Sequence, residues 1–189
     1  MKIKYFAFVL LAVCIVTTAD AKDLTAFQLV KRGNEYVGVQ SKDKVVQIRS
    51  EKSLGGLTPN IWYVVYYDPD ATLKAVEVKF GAGEKLDVSH PLRLLEPITG
   101  DDKILDADKL KIDSDKAQAI ATDHPLVKSL ALKATQLQLG HGATGPEWKV
   151  KLWAAKLKHP EDMADIGVVH ISATDGSILK ADLHPSRLE

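Results

Sequence analysis

Apolar residues in this chain recur with two periods, one helical and one of strands. At Leu24, Phe27 and Val30 they come every third residue, which predicts one short helix over residues 24–31. Val45–Ser50 reads as a strand. Gly55-Gly56 and Pro59-Asn60 then punctuate the chain. Ile61–Tyr67 is Ile-Trp-Tyr-Val-Val-Tyr-Tyr, rich in β-branched and aromatic residues, and Asp68-Pro69-Asp70 ends it; a strand followed by a turn is predicted. Residues 73–80 alternate, with Val76, Val78 and Phe80 on one face and Glu77 and Lys79 on the other, as half-buried strands do.

A second group follows the same order. Ser114 is a candidate N-cap, Asp115 suits the first helical turn, and Ala117, Ile120 and Ala121 form an apolar stripe. Pro125 disfavours helix at His124, so the helix is expected to end or kink there and to resume over residues 126–133. Four strands are predicted next. Residues 135–139 turn Leu137 and Leu139 inward, and residues 148–156 set Trp148, Val150 and Leu152 against Lys149 and Lys151. Residues 167–173 and Ile178–Leu183 are joined by Thr174-Asp175-Gly176, a hairpin signal.

Each half is thus a helix followed by an antiparallel meander. Each has a tryptophan opening its second strand (Trp62, Trp148), and each closes with His-Pro (His90-Pro91, His184-Pro185). The expected fold class is α+β: two tandem units, each a helix packed on an antiparallel sheet. The first unit covers residues 22–92. Residues 93–110, with Pro97, Gly100 and several aspartates, form a connector, and residues 111–189 make the second unit.

The N-terminus changes the picture of where the chain works. Lys2 and Lys4 precede an apolar run from Tyr5 to Val16, and Ala19-Asp20-Ala21 supplies the small-x-small pattern of a signal-peptidase site. Residues 1–21 are therefore read as a cleavable signal peptide, and the product as periplasmic or secreted after cleavage near Ala21. The run is too short for a ~30 Å hydrocarbon core, so no stable membrane insertion is expected after cleavage. Leu11-Ala12-Val13-Cys14 departs from a lipobox at Val13, where a small residue belongs. Cys14 is the sole cysteine, so the remainder of the chain can form no disulfide and no thiolate metal site. With 25 Lys and Arg against 25 Asp and Glu, no basic surface drives nucleic-acid binding.

Three segments carry a family resemblance: Lys111-Ile112-Asp113-Ser114-Asp115-Lys116-Ala117, Glu147-Trp148-Lys149-Val150, and Ile171-Ser172-Ala173-Thr174-Asp175-Gly176-Ser177-Ile178-Leu179. Together they resemble the PepSY or PepSY-like family, cystatin-like helix-plus-sheet modules of bacterial envelope proteins and some peptidase propeptides. The match spans about residues 105–183. The first half follows it only in outline, through Trp62 and its flanking strands, and residues 157–165 lengthen a turn beyond the usual family form. The resemblance implies a non-enzymatic extracytoplasmic module that binds or restrains a peptidase or other envelope protein. It carries over no catalytic residue and no cofactor.

Local chemistry adds little. Of the six histidines, His90, His124, His159 and His184 each precede a proline, and none pairs with another at chelating spacing. His170 lies mid-strand and by alternation faces away from Val169 and Ile171, toward solvent. His141 sits in Gly140-His141-Gly142-Ala143-Thr144-Gly145-Pro146, which lacks the Lys-Ser/Thr of a phosphate loop and leads into a strand; a turn is expected. A calcium loop starting at Asp106 and Asp108 fails at Leu110, Lys111 and Ala117, and no serine has a nucleophile-elbow context.

The aromatic strand remains. Trp62, Val64 and Tyr66 share one face and Tyr63, Val65 and Tyr67 the other, while Trp153 faces opposite to Trp148. A sheet covered by a helix on one side needs only one apolar face. Tyr63, Tyr67 and Trp153 are therefore the candidate partner-binding residues, with burial in a seam between the two halves as the structural alternative. An alternative function is a small ligand-binding protein or enzyme with a pocket on the curved sheet, lined by His or Asp.

Overall fold

A computed structural model describes residues 24–91 and 104–189. The expected signal peptide, with Cys14, and residues 93–103 of the expected connector lie outside the described residues. Helix α1 spans Ala26–Gly33, two residues later than the periodicity predicts, because Thr25 caps it. The Thr25 hydroxyl accepts from the Gln28 amide (3.4 Å), and the Gln28 side chain accepts from the Thr25 amide (2.9 Å). Four strands follow: β1 (Val45–Ser50), β2 (Ile61–Tyr67), β3 (Ala75–Gly81) and β4 (Glu84–Ser89). Helix α2 (Ser114–Thr122) then precedes β5 (Leu132–His141), β6 (Pro146–Ala155), β7 (Met163–Ser172) and β8 (Ile178–Leu183).

Several expectations need correction. The N-cap of α2 is Asp113; Ser114 is the first helical residue. No helix resumes over residues 126–133. Turns hold residues 124–130, with Val127 buried and its amide donating to the His124 carbonyl (2.8 Å). Leu132 belongs to β5 and pairs with Ala154 of β6, so sheet pairing captures residues with good helical propensity. Strand β4 was not anticipated. Its Leu86 and Val88 alternate with Lys85, Asp87 and Ser89, so a strand signal is present in the sequence, and a turn at Ala82 and Gly83, both with positive φ, folds it onto β3.

All eight strands form one antiparallel sheet in the order β4-β3-β2-β1-β5-β6-β7-β8. The two meanders join edge to edge, through Ile48↔Leu139 and Arg49↔Gln138. Beyond Arg49 the seam is completed by hydroxyls: Ser50 Oγ accepts from the Leu137 amide and Ser53 Oγ from the Thr135 amide, both at 2.9 Å.

One face of this sheet carries the core, which runs without a break through both halves. Ile48, Val64, Tyr66, Val78 and Phe80 continue into Leu137, Leu139, Trp148, Val150, Leu152, Val169 and Ile171. The Tyr66 hydroxyl donates to the Val30 carbonyl (2.9 Å) on α1, and the Trp148 indole donates to the Ile112 carbonyl (2.7 Å) just before α2. Phe27 of α1 packs against Trp148 of the other half, ring centroids 6.5 Å apart. The two helix starts also meet: the Ala26 amide donates to Ser114 Oγ (2.9 Å), and the Asp113 carboxylate accepts from the Phe27 and Ser114 amides (3.1 and 2.7 Å). One acidic cap thus serves open amides of two helices. Among the described residues no helix is long and apolar enough to cross a membrane.

Candidate functional site: the open face of the sheet

Both helices pack on the core face, so the opposite face is covered by neither. Register places one residue of every strand on a single row across it: Asp87, Lys79, Tyr63, Arg49, Gln138, Lys149, His170 and Lys180. The seam alternative is thereby corrected. The halves meet along strand edges, and their sheet faces do not stack on each other.

Tyr63 is half-buried under cations. The Arg49 guanidinium lies 3.9 Å from its ring centroid and the Lys79 ammonium 5.0 Å. Its hydroxyl donates to the Glu51 carboxylate at 2.6 Å. That hydrogen bond, followed by the charges of Lys79 and Arg49, outweighs the desolvation of Glu51 and holds its carboxyl below the usual range. Contact with the Tyr63 hydroxyl and with Glu51 raises Lys79. Arg49 also pairs with the buried carboxylate of Glu77 at 2.7 Å.

Trp153 repeats the arrangement on β6. The ammonium groups of Lys52 and Lys151 lie 5.4 and 5.1 Å from its ring. Lys151 bonds Asp165 at 2.8 Å. Burial pushes Asp165 up, but the Lys151 hydrogen bond, the Gly167 amide and the charges of Lys151 and Arg187 prevail and lower it. Glu51 and Lys52 are adjacent in sequence, so the Tyr63 and Trp153 clusters are continuous around the end of β1.

Tyr67 is not part of this patch. It packs with Val46, Val65, Ala75 and Ile104 at the other end of the open face, with Lys44 at 5.9 Å from its ring. Sequence alternation put all three aromatic residues on the correct face; it contains nothing about where Ile104 folds back.

His170 lies on the open face as its alternation requires, but its partner was not foreseen. Nδ1 sits 2.7 Å from the Glu147 carboxylate, which is almost fully buried. Register brings them together, since Lys149 is opposite His170 and Glu147 opposite Ser172. Of the other histidines, His159 meets Glu161 (3.4 Å), His184 meets Asp182 (3.1 Å) and His124 Nδ1 the Leu126 amide (3.3 Å), all local, and His90 after β4 reaches Asp68 after β2 (3.8 Å). Within the segment expected to turn, residues 142–145 make the β5–β6 hairpin turn, closed by the Gly142 amide on the Gly145 carbonyl (2.8 Å), while Gly140 and His141 end β5 and Pro146 opens β6. Among the described residues no three His, Cys, Asp or Glu side chains are grouped to hold a metal ion.

A cleft of about 120 Å³ lies on the helix side, lined by Thr25, Thr58, Pro59, Trp62, Ser114, Asp115 and Gln118. It is well below the ~300–1,000 Å³ usual for small-molecule sites. Comparison with family models, with curated proteins and with solved structures found no match to this chain.

Proposed function

We propose that this chain is an exported, non-enzymatic binding or regulatory module, PepSY-like in kind. It acts in the periplasm or outside the cell after cleavage near Ala21 and restrains a peptidase or another envelope protein. The observation that carries this reading is the continuous patch of Tyr63, Arg49, Lys79, Glu51, Lys52, Trp153 and Lys151 on a sheet face opposite both helices. Tyr, Trp and Arg, here Tyr63, Trp153 and Arg49, are the side chains enriched as anchors of protein interfaces. The repeated order of one helix and four strands, α1-β1-β2-β3-β4 and α2-β5-β6-β7-β8, supports a tandem cystatin-like reading of the two halves.

The test is capture of a partner from bacterial envelope extract on immobilised chain lacking residues 1–21, beside a Tyr63→Ala, Trp153→Ala variant. The expected outcome is a saturable protein that the variant retains at least tenfold less well, with both baits giving the same circular dichroism. Equal recovery on both baits, or none on either, removes the reading.

A further inference from the structure

Among the described residues the sheet has two unpaired edges, β4 and β8, and the chemistry of β8 matches itself. Strand β8 pairs with β7 on one side only, and every one of its residues except Leu183 is exposed. The amide of His184 donates to the Ile166 carbonyl at 2.7 Å, which fixes the phase of the β7–β8 ladder. With Val168 opposite Asp182 and His170 opposite Lys180, the backbone groups of Asp182 and Lys180 point inward to β7, and those of Ala181 and Leu183 point outward.

We propose that β8 pairs antiparallel with the β8 of a second copy of this chain, about a two-fold axis at Ala181. The outward amides and carbonyls allow few two-fold registers, and charge selects among them. Centred on Lys180, the pairing sets two lysines face to face; centred on Asp182, two aspartates. Centred on Ala181, it places Lys180 of each copy opposite Asp182 of the other, so both cross-strand pairs are of opposite charge. The same register exchanges two N–H···O bonds between the Ala181 residues. Pro185, with no amide hydrogen, ends the ladder beyond His184.

A lysine on an edge strand usually discourages such pairing. Here its complement, Asp182, is presented by the same strand of the second copy. Asp182 contacts His184 through Oδ1, which leaves Oδ2 for the incoming Lys180. Edge β4 has the same spacing in Lys85-Leu86-Asp87, but a register shift beside Leu86 sets Asp87 opposite Lys79 and Lys85 opposite Phe80, so the two charges lie on different faces, and Lys85 lies over Tyr36 (5.7 Å). Pairing through β8 leaves the Tyr63–Trp153 patch open on each copy. It is therefore independent of the partner reading and would make the assembly bivalent.

One short strand buries less than the ~1,200 Å² of stable interfaces, so a weak dimer is expected. Sedimentation of the chain lacking residues 1–21, from about 5 µM to about 1 mM, tests it. The expected result is a reversible monomer–dimer equilibrium. Lys180→Asp and Asp182→Lys should each weaken it about tenfold, and the double exchange should restore it. Ala181→Pro removes an outward amide that β7 does not use; it should abolish the dimer while leaving the thermal transition of the monomer in place. A chain monomeric at every concentration overturns the proposal, as does a dimer that tolerates Ala181→Pro or is not rescued by the double exchange.

Discussion

At the scale of single residues, the turn between β7 and β8 shows how a short sequence signal acquires chemistry. Asp175 accepts from the amide and the hydroxyl of Ser177 (3.0 and 2.8 Å), and Ser172 also bonds within the turn. The Ser177 amide, then the Ser172 and Ser177 hydroxyls, push the Asp175 carboxyl down to about 2. Because the folded value is depressed, the contribution of this carboxylate is present above the ordinary carboxylate range near 4 and is lost as pH falls toward 2. NMR titration should give a midpoint near 2 for Asp175, with the Ser177 amide shift following the same curve. A midpoint near 4 would mean the turn bonds are not formed in solution. The Asp-Gly hairpin signal was legible in the sequence. The contribution of Ser172, whose hydroxyl accepts from the Thr174 and Asp175 amides two and three residues on, is equally local and adds to that signal.

At the scale of elements, β1, β2 and β8 have the bounds that alternation and punctuation predict. The sequence does not mark Gly167 as special, yet its φ is +118°, and a Cβ there would meet the Asp182 carbonyl of β8. Gly167→Ala should therefore cost about 2 kcal/mol, read as a lower urea midpoint at unchanged slope. Trp148 is fully buried and its indole is bonded to the Ile112 carbonyl. Trp148→Ala should destabilise by about 3–5 kcal/mol in the same assay, whereas Trp153→Ala, on the half-exposed face, should shift stability by under about 1 kcal/mol. Two elements departed from expectation for different reasons. Strand β4 does alternate, Leu86 and Val88 against Lys85, Asp87 and Ser89, but its short apolar set stays largely exposed at the sheet edge. Within residues 126–133 only the end joins β5, through the pairing of Leu132 with Ala154; residues 126–130 are held in turns after Pro125.

At the scale of the whole molecule, the seam between β1 and β5 turns two similar halves into one folding unit. Only a short run of backbone pairs crosses it, and Ser50 and Ser53 complete it. Ser50→Ala leaves the buried amide of Leu137 without that partner and should cost about 1–3 kcal/mol. With one core shared by both halves, denaturation should remain a single transition. Hydrogen-exchange protection of β2 and β7 should then reach the same limiting free energy. Protection of the two strands at clearly different limits would mean that the halves unfold separately.

By itself, the sequence determined the secondary-structure inventory in the main, the inward faces of the strands, the placing of Tyr63, Tyr67 and Trp153 opposite the core, and the repeated helix–meander order. These follow from side-chain periodicity and turn chemistry, which are local. Tertiary structure alone decided that the meanders join by their edges, that Arg49 and Lys79 stack on Tyr63, that Glu147 meets His170, and that Ile104 packs beside Tyr67. Each of those depends on strand register or chain reversal between residues far apart in sequence, and no local pattern encodes which distant backbone amide a strand will find.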